Sequence, residues 1–156
     1  MRDPEPALTP HKLRQRMHEV WKVLAGRHGQ VADAIHEELR DGRRRIEFLV
    51  EVPGYGLPVQ ATMVFVEHWR KTRGAWTRGE YAYDHHAEPR PSGRKAHHRH
   101  ELLDRDQVVH AHCEDPRPAY DHYRDVPVTL LEAAEEFALI HAGQTLACRG
   151  LFPLFD

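Results

Sequence analysis

Cysteine is scarce in this chain, with only Cys113 and Cys148 among 156 residues. Two cysteines build no disulfide framework, and their spacing is not that of a zinc ribbon. Long apolar runs are also missing, since no stretch approaches the roughly 18 residues that a membrane-spanning helix needs. The opening segment, Met1-Arg2-Asp3-Pro4-Glu5-Pro6, lacks the apolar centre of a signal peptide. These absences lead us to expect a protein of the reducing cytoplasm with no membrane partner. Neither an internal repeat nor a low-complexity tract is found. Strong charge of one sign is missing too: the net charge is −2. That excludes a protein that coats nucleic acid by bulk charge, though not one with a local basic groove.

Hydrophobic residues make up 40% of the chain and charged residues 29%. This is the composition of an ordinary globular protein, and residues 1–156 are read as a single domain with a real core. Thr9-Pro10 has the character of a helix N-cap followed by a first-turn proline. Leu13, Met17, Val20, Trp21 and Leu24 then recur at helical spacing up to Gly26. Val31, Ile35 and Leu39 suggest a second helical stripe ending at Gly42, so residues 9–41 are expected to form a helical hairpin. From residue 44 the period falls to two, and five strands of an antiparallel meander are expected over 44–114. Ile46, Phe48 and Val50 share one face of the first strand; Val59, Ala61, Met63 and Phe65 share one face of the second. Residues 115–127, with Pro116, Pro118 and Pro127, read as an irregular loop. Thr129-Leu130-Leu131-Glu132 is a capping box for a helix over 129–142, with Leu131, Ala134 and Leu139 on its buried face. The apolar tail, 144–156, is expected to dock on the body or on a partner. The fold class is α+β: helical hairpin, five-stranded antiparallel meander, C-terminal helix.

Histidine is where the sequence departs from the ordinary. The chain holds 14 histidines, and seven of them (His85, His86, His97, His98, His100, His110 and His112) fall within 28 residues. On a strand, His98 and His100 lie on one face while His97 and Arg99 lie on the other. His110 and His112 also share a face. If the intervening turn centres on Arg105, His98 faces His112, His100 faces His110, and four imidazoles gather as a metal cage. A one-residue slip instead matches the apolar positions Val109, Ala111 and Cys113 with the face of Ala96 and Leu102. Burial usually fixes strand pairing, so this second register is the preferred expectation.

Two chemistries follow from the cluster. Neutral imidazole ligates transition metals, with His86, His98, His100, His110 and His112 as candidate ligands of a divalent ion. Without a metal or other cofactor, imidazoles act as acid and base near neutral pH, which suits RNA cleavage. In that reading His98 and His100, with His97 and His85 nearby, supply the proton transfers, and Asp84 orients a histidine. Arg94 and Arg99 hold phosphate, and Tyr81 and Tyr83 stack bases.

The order of these motifs resembles the TumE-type toxins of bacterial and archaeal type II toxin–antitoxin pairs. The similarity rests on Tyr83-Asp84-His85-His86, on His97-His98-Arg99-His100-Glu101 and on Pro127-Val128-Thr129-Leu130-Leu131, and covers about residues 44–140. It implies a toxin that arrests growth by acting on RNA and is neutralised by a cognate antitoxin protein. The ribonuclease step itself is inferred from the histidines. A non-enzymatic regulatory subunit of a larger defence complex, or a homodimer joined through the helical hairpin and the tail, is the alternative.

Overall fold

Thr9 starts the first helix: its Oγ1 accepts the Lys12 N–H at 3.3 Å. Pro10 occupies the first turn, where a missing N–H costs nothing. The helix, α1, spans Pro10–Arg27 and buries Leu13, Val20 and Leu24, with Met17 packed beside them. Trp21, expected in this stripe, is 44% exposed. In this computed structural model the described residues are 3–27, 30–39, 42–54, 57–87, 94–101, 107–114 and 122–141. The elements after α1 are β1 (Gln30–Leu39), β2 (Arg43–Gly54), β3 (Leu57–Thr72), β4 (Ala75–Ala87), β5 (Arg94–Glu101), β6 (Gln107–Glu114), β7 (His122–Arg124) and α2 (Leu130–His141). The strands form one antiparallel sheet in sequence order, β1 to β7. The class is α+β as expected, but with one helix before the sheet rather than two.

The segment 30–39 is a strand, and the expected second helix is overturned. Val31, Ile35 and Leu39 are four apart, a spacing that suits one helix face and also one strand face, because four is a multiple of two. Pairing decides the outcome. Leu39 lies opposite Arg43, and the hairpin closes through Gly42 at φ 65°, so this glycine makes a turn rather than stopping a helix. The expected irregular segment 115–127 also contains a strand, β7, whose Tyr123 packs with Ala111 and Cys113. Arg73 and Gly74, both at positive φ (52° and 79°), make the tight β3–β4 turn in the mirror-image geometry that suits strand twist.

Both helices lie on one face of the sheet. That face carries Ile46, Phe48 and Val50 from β2, Ala61, Met63 and Phe65 from β3, and Tyr81 and Tyr83 from β4, all buried. Helix α2 is capped as expected: the Thr129 N–H donates to Glu132 Oε2 at 2.8 Å, and the Glu132 N–H donates to Thr129 Oγ1 at 3.1 Å. Its buried stripe, however, is Leu130, Ala133, Ala134 and Phe137; Leu131 and Leu139 face solvent. The i, i+3, i+4, i+7 spacing of the former set marks the true apolar face.

A β-bulge changes the parity of β4. Glu67 pairs with Tyr81, yet Trp69 pairs with Arg78, so Gly79 and Glu80 together oppose His68. Below the bulge the core-facing residues of β4 are Trp76 and Arg78; above it they are Tyr81, Tyr83 and His85. Arg78 thereby enters a buried polar group with Glu67, Tyr83 and Arg16. Arg16 grips Glu67 with two bonds of 2.7 Å, and the Tyr83 hydroxyl donates to Glu67 at 2.6 Å. Burial alone would raise the Glu67 pKa, but Arg16 and Arg78 outweigh it and hold the group ionised.

Cys113, on the core face of β6, is disulfide-bonded. Cys148 and the tail 144–156 lie outside the described residues. Among the described residues, no helix is long and apolar enough to cross a membrane.

Phe65 ties the sheet to α2, with its ring 5.9 Å from Phe137 and 5.8 Å from Tyr83. Truncation of so buried a ring costs about 3–5 kcal/mol. Phe65→Ala is therefore expected to lower the urea unfolding free energy by that amount while leaving the slope unchanged.

Candidate metal centre

The histidines are sorted by the β5–β6 register. His98 pairs with His110, Ala96 with His112 and His100 with Val108. This is neither sequence expectation. It lies two residues from the Arg105-centred pairing and therefore keeps that pairing's parity, whereas the preferred apolar-matched register is overturned. The reason lies on the other face. Val109, Ala111 and Cys113 do turn toward the helices, but their partners on β5 are Arg99, His97 and Lys95. These charged side chains are buried because each has a partner from elsewhere in the fold, so the core face of β5 carries no apolar mark.

One face of the sheet thus collects His98, His100, His110 and His112. β7 adds His122, paired opposite His112, with ring centroids 4.3 Å apart. One nitrogen from each of His98, His110 and His112 lies within 4.8 Å of the others. The Nε2 atoms of His110 and His112 are 3.0 Å apart. At metal–nitrogen bonds of about 2.0–2.1 Å, that separation subtends about 95° at a shared ion, between octahedral and tetrahedral angles. Closing the third ligand from 4.8 Å requires a ring rotation. His100 and His122 border the triad, their rings 5.1 and 5.4 Å from His110.

Electrostatics keep this cluster ready for a cation. Burial, then the neighbouring His98, His100 and His122 rings, lowers the His110 pKa to about 4. The ring is therefore neutral at pH 7, so metal binding there does not first have to deprotonate an imidazolium. Its Nδ1 is buried with no hydrogen-bond partner. His98 Nε2 lies 2.9 Å from Asp84 Oδ2 across the β4–β5 pairing. A proton on Nε2 leaves the lone pair on Nδ1, and a carboxylate bound to the far nitrogen of a ligating imidazole is the usual support of a metal site.

The other sequence-predicted residues are dispersed. His86 is on the same face at the end of β4, its Nε2 3.9 Å from Asp84 Oδ1. Arg94 opens β5, opposite His86 and Glu114. His85 is in the core, 5.6 Å from the Phe137 ring. Tyr81, Tyr83, His97 and Arg99 face the helices and are buried, so the two tyrosines expected to stack bases and Arg99, one of the two arginines expected on phosphate, lie across the sheet from His98.

His97 is clamped. Its Nδ1 meets Asp125 Oδ2 and its Nε2 meets Glu136 Oε2, both at 2.6 Å. Only the doubly protonated ring can donate to both. Burial pulls its pKa down, but the two carboxylates outweigh that and raise it to about 9. Lys95 Nζ, 3.3 Å from Glu136 Oε1, completes the group. A ring so held joins β5 to α2 and is a poor proton shuttle at neutral pH.

Sequence reading missed His122, Asp125 and Glu136. His122 and Asp125 fall in a stretch whose prolines signalled a loop, and Glu136 follows from helix phase alone. No protein-family model, curated protein or solved structure matches the chain.

His97 and His110 push stability in opposite directions with pH. A raised pKa contributes stability that is complete below the unfolded value of about 6.5 and is lost as pH rises through 9. A lowered histidine pKa makes the fold less stable as pH falls from about 6.5 toward 4, because only the unfolded ring takes up the proton. Chemical unfolding followed across this range should show a maximum near pH 6.5. The alkaline limb should lose on the order of 2–3 kcal/mol in the wild type and flatten in His97→Gln.

Proposed function

We propose that this protein binds a first-row transition metal ion through His98, His110 and His112, and that the bound ion is its working centre. The carrying observation is the 3.0 Å approach of two buried imidazole Nε2 atoms with a carboxylate-backed third histidine beside them. Three imidazoles are a ligand set of catalytic rather than structural type, because a fourth position is left for water or substrate. A metal held by these residues would lower the pKa of a bound water and supply a nucleophile at neutral pH, so the reading extends to hydrolysis. Asp84 fixes the tautomer of His98, and His100 and His122 are placed to complete the shell or to pass protons. Under the resemblance to the TumE-type toxins the substrate is RNA and the partner a cognate antitoxin; both rest on the motifs alone.

A second reading keeps the same residues without metal, and the Asp84–His98 hydrogen bond favours it. Here His98, held by Asp84, and neutral His110 or exposed His100 divide the acid and base roles of a ribonuclease. The phosphate contacts of that reading cannot come from Arg99, which is on the opposite face.

Elemental analysis of protein purified without an affinity tag separates the two. One equivalent of zinc, nickel, cobalt or a similar ion is expected, lost in a His110→Ala, His112→Ala variant. Asp84→Asn should weaken the metal about 10–100-fold. Absence of stoichiometric metal, together with no calorimetric binding of added zinc, would overturn the metal reading. RNA cleavage that survives chelation but disappears in His98→Ala would establish the second.

A further inference from the structure

A second polar cluster lies on the helix-covered face, and the metal site makes no use of it. Three guanidiniums converge there: Arg16 from α1, Arg78 from β4 and Arg99 from β5, with side chains 12%, 0% and 5% exposed. Arg78 donates to the Tyr83 hydroxyl at 2.7 Å and lies 4.2 Å from the centre of the Tyr81 ring. Tyr81 is stacked on Tyr83 at 4.7 Å. The carboxylate that the sheet brings to Arg16 and Arg78 is Glu67.

The other carboxylates come from residues 3–9, a strap that precedes α1. Asp3 accepts from Arg78 Nε at 3.3 Å and Nη2 at 2.8 Å, and also from Arg99 Nη1. Glu5 accepts from Arg16 at 2.8 and 3.3 Å. The strap itself is lightly fastened. Pro4 and Pro6 have no N–H to donate, and among the described residues the strap's backbone bridge to the sheet is Leu8 with Trp76, with bonds of 2.8 and 2.7 Å. Residues 3–7 line an open depression of about 520 Å³. Among the described residues, the neighbouring carboxylates Asp125 and Glu136 are engaged by His97 and Lys95. Lifting the strap would therefore remove two negative charges from buried arginines that cannot lose their protons.

We infer that this is an anion-binding site, filled in this conformation by the strap's own two carboxylates, and that its ligand is a compact divalent oxyanion. Two vacated charges set the valence. Guanidinium forks suit phosphate and carboxylate alike, so a phosphate monoester and a dicarboxylate are the two forms such a ligand takes. The strap competes with that ligand, and apparent affinity is divided by the fraction of molecules in which the strap is lifted.

An Asp3→Asn, Glu5→Gln variant tests this without touching the histidines. Calorimetry with inorganic phosphate and with succinate, at ionic strength matched by chloride, should show binding about tenfold or more tighter than in the wild type. Tightening by phosphate alone or by succinate alone names the source of the oxyanion, and tightening by both supports a site for either. A folded variant that binds neither better than the wild type overturns the inference. Should the variant fail to fold, the wild type decides through the Nε–H resonances of Arg78 and Arg99. Displacement of those signals by phosphate or succinate, and not by chloride, supports strap exchange; signals that stay fixed refute it.

Discussion

The alternation of side chains along β3 to β6, interrupted at the Gly79–Glu80 bulge, is the constraint from which the rest of the structure follows. Each residue on these strands belongs to one of two faces, and antiparallel pairing carries the choice to the next strand. Once Phe65 faces the helices, so do Tyr83, its partner on β4, then His97, then Ala111. The residues between them, Val64, Asp84, Ala96 and His112, are committed to the other face by the same ladder. The imidazole cluster and the arginine cluster are thus two consequences of one alternation.

The two faces solve the burial of polar groups in opposite ways. On the helix side, charge is buried and compensated by charge: Glu67 with Arg16 and Arg78, His97 with Asp125 and Glu136. On the other side, imidazoles crowd together, and His110 is held neutral by burial and by its neighbours. A charge-matched network takes a ligand only in exchange for one of its own charges, as an oxyanion would replace the strap's carboxylates. A cluster built around a neutral imidazole is an arrangement that gains from a cation.

Much of this organisation was legible in the sequence. Alternation in Ile46–Val50 and Ala61–Phe65 located two core strands, and the Thr129–Glu132 capping box located the start of α2. Histidine density located the cluster. What escaped has physical reasons. A four-residue apolar spacing fits helix and strand equally, so Val31, Ile35 and Leu39 could not show that 30–39 would pair as an edge strand. The register of β5 with β6 was misread because Lys95, His97 and Arg99 are core residues whose partners, Asp125 and Glu136 among them, are distant in sequence. His122 was missed because nothing local marks three residues among prolines as a strand, and only the ladder with β6 makes them one.

The bulge at Gly79–Glu80 has a consequence for how this chain can change its length. Two residues there face one on β3, so a single-residue deletion at that place would erase the parity change and turn Trp76 and Arg78 outward. A one-residue insertion within β5 or β6 would likewise carry the imidazoles to the helix side beyond it, whereas a pair of residues would restore the order. Lineages of this fold should therefore tolerate indels in its central strands by twos, and single steps only in the connections between them.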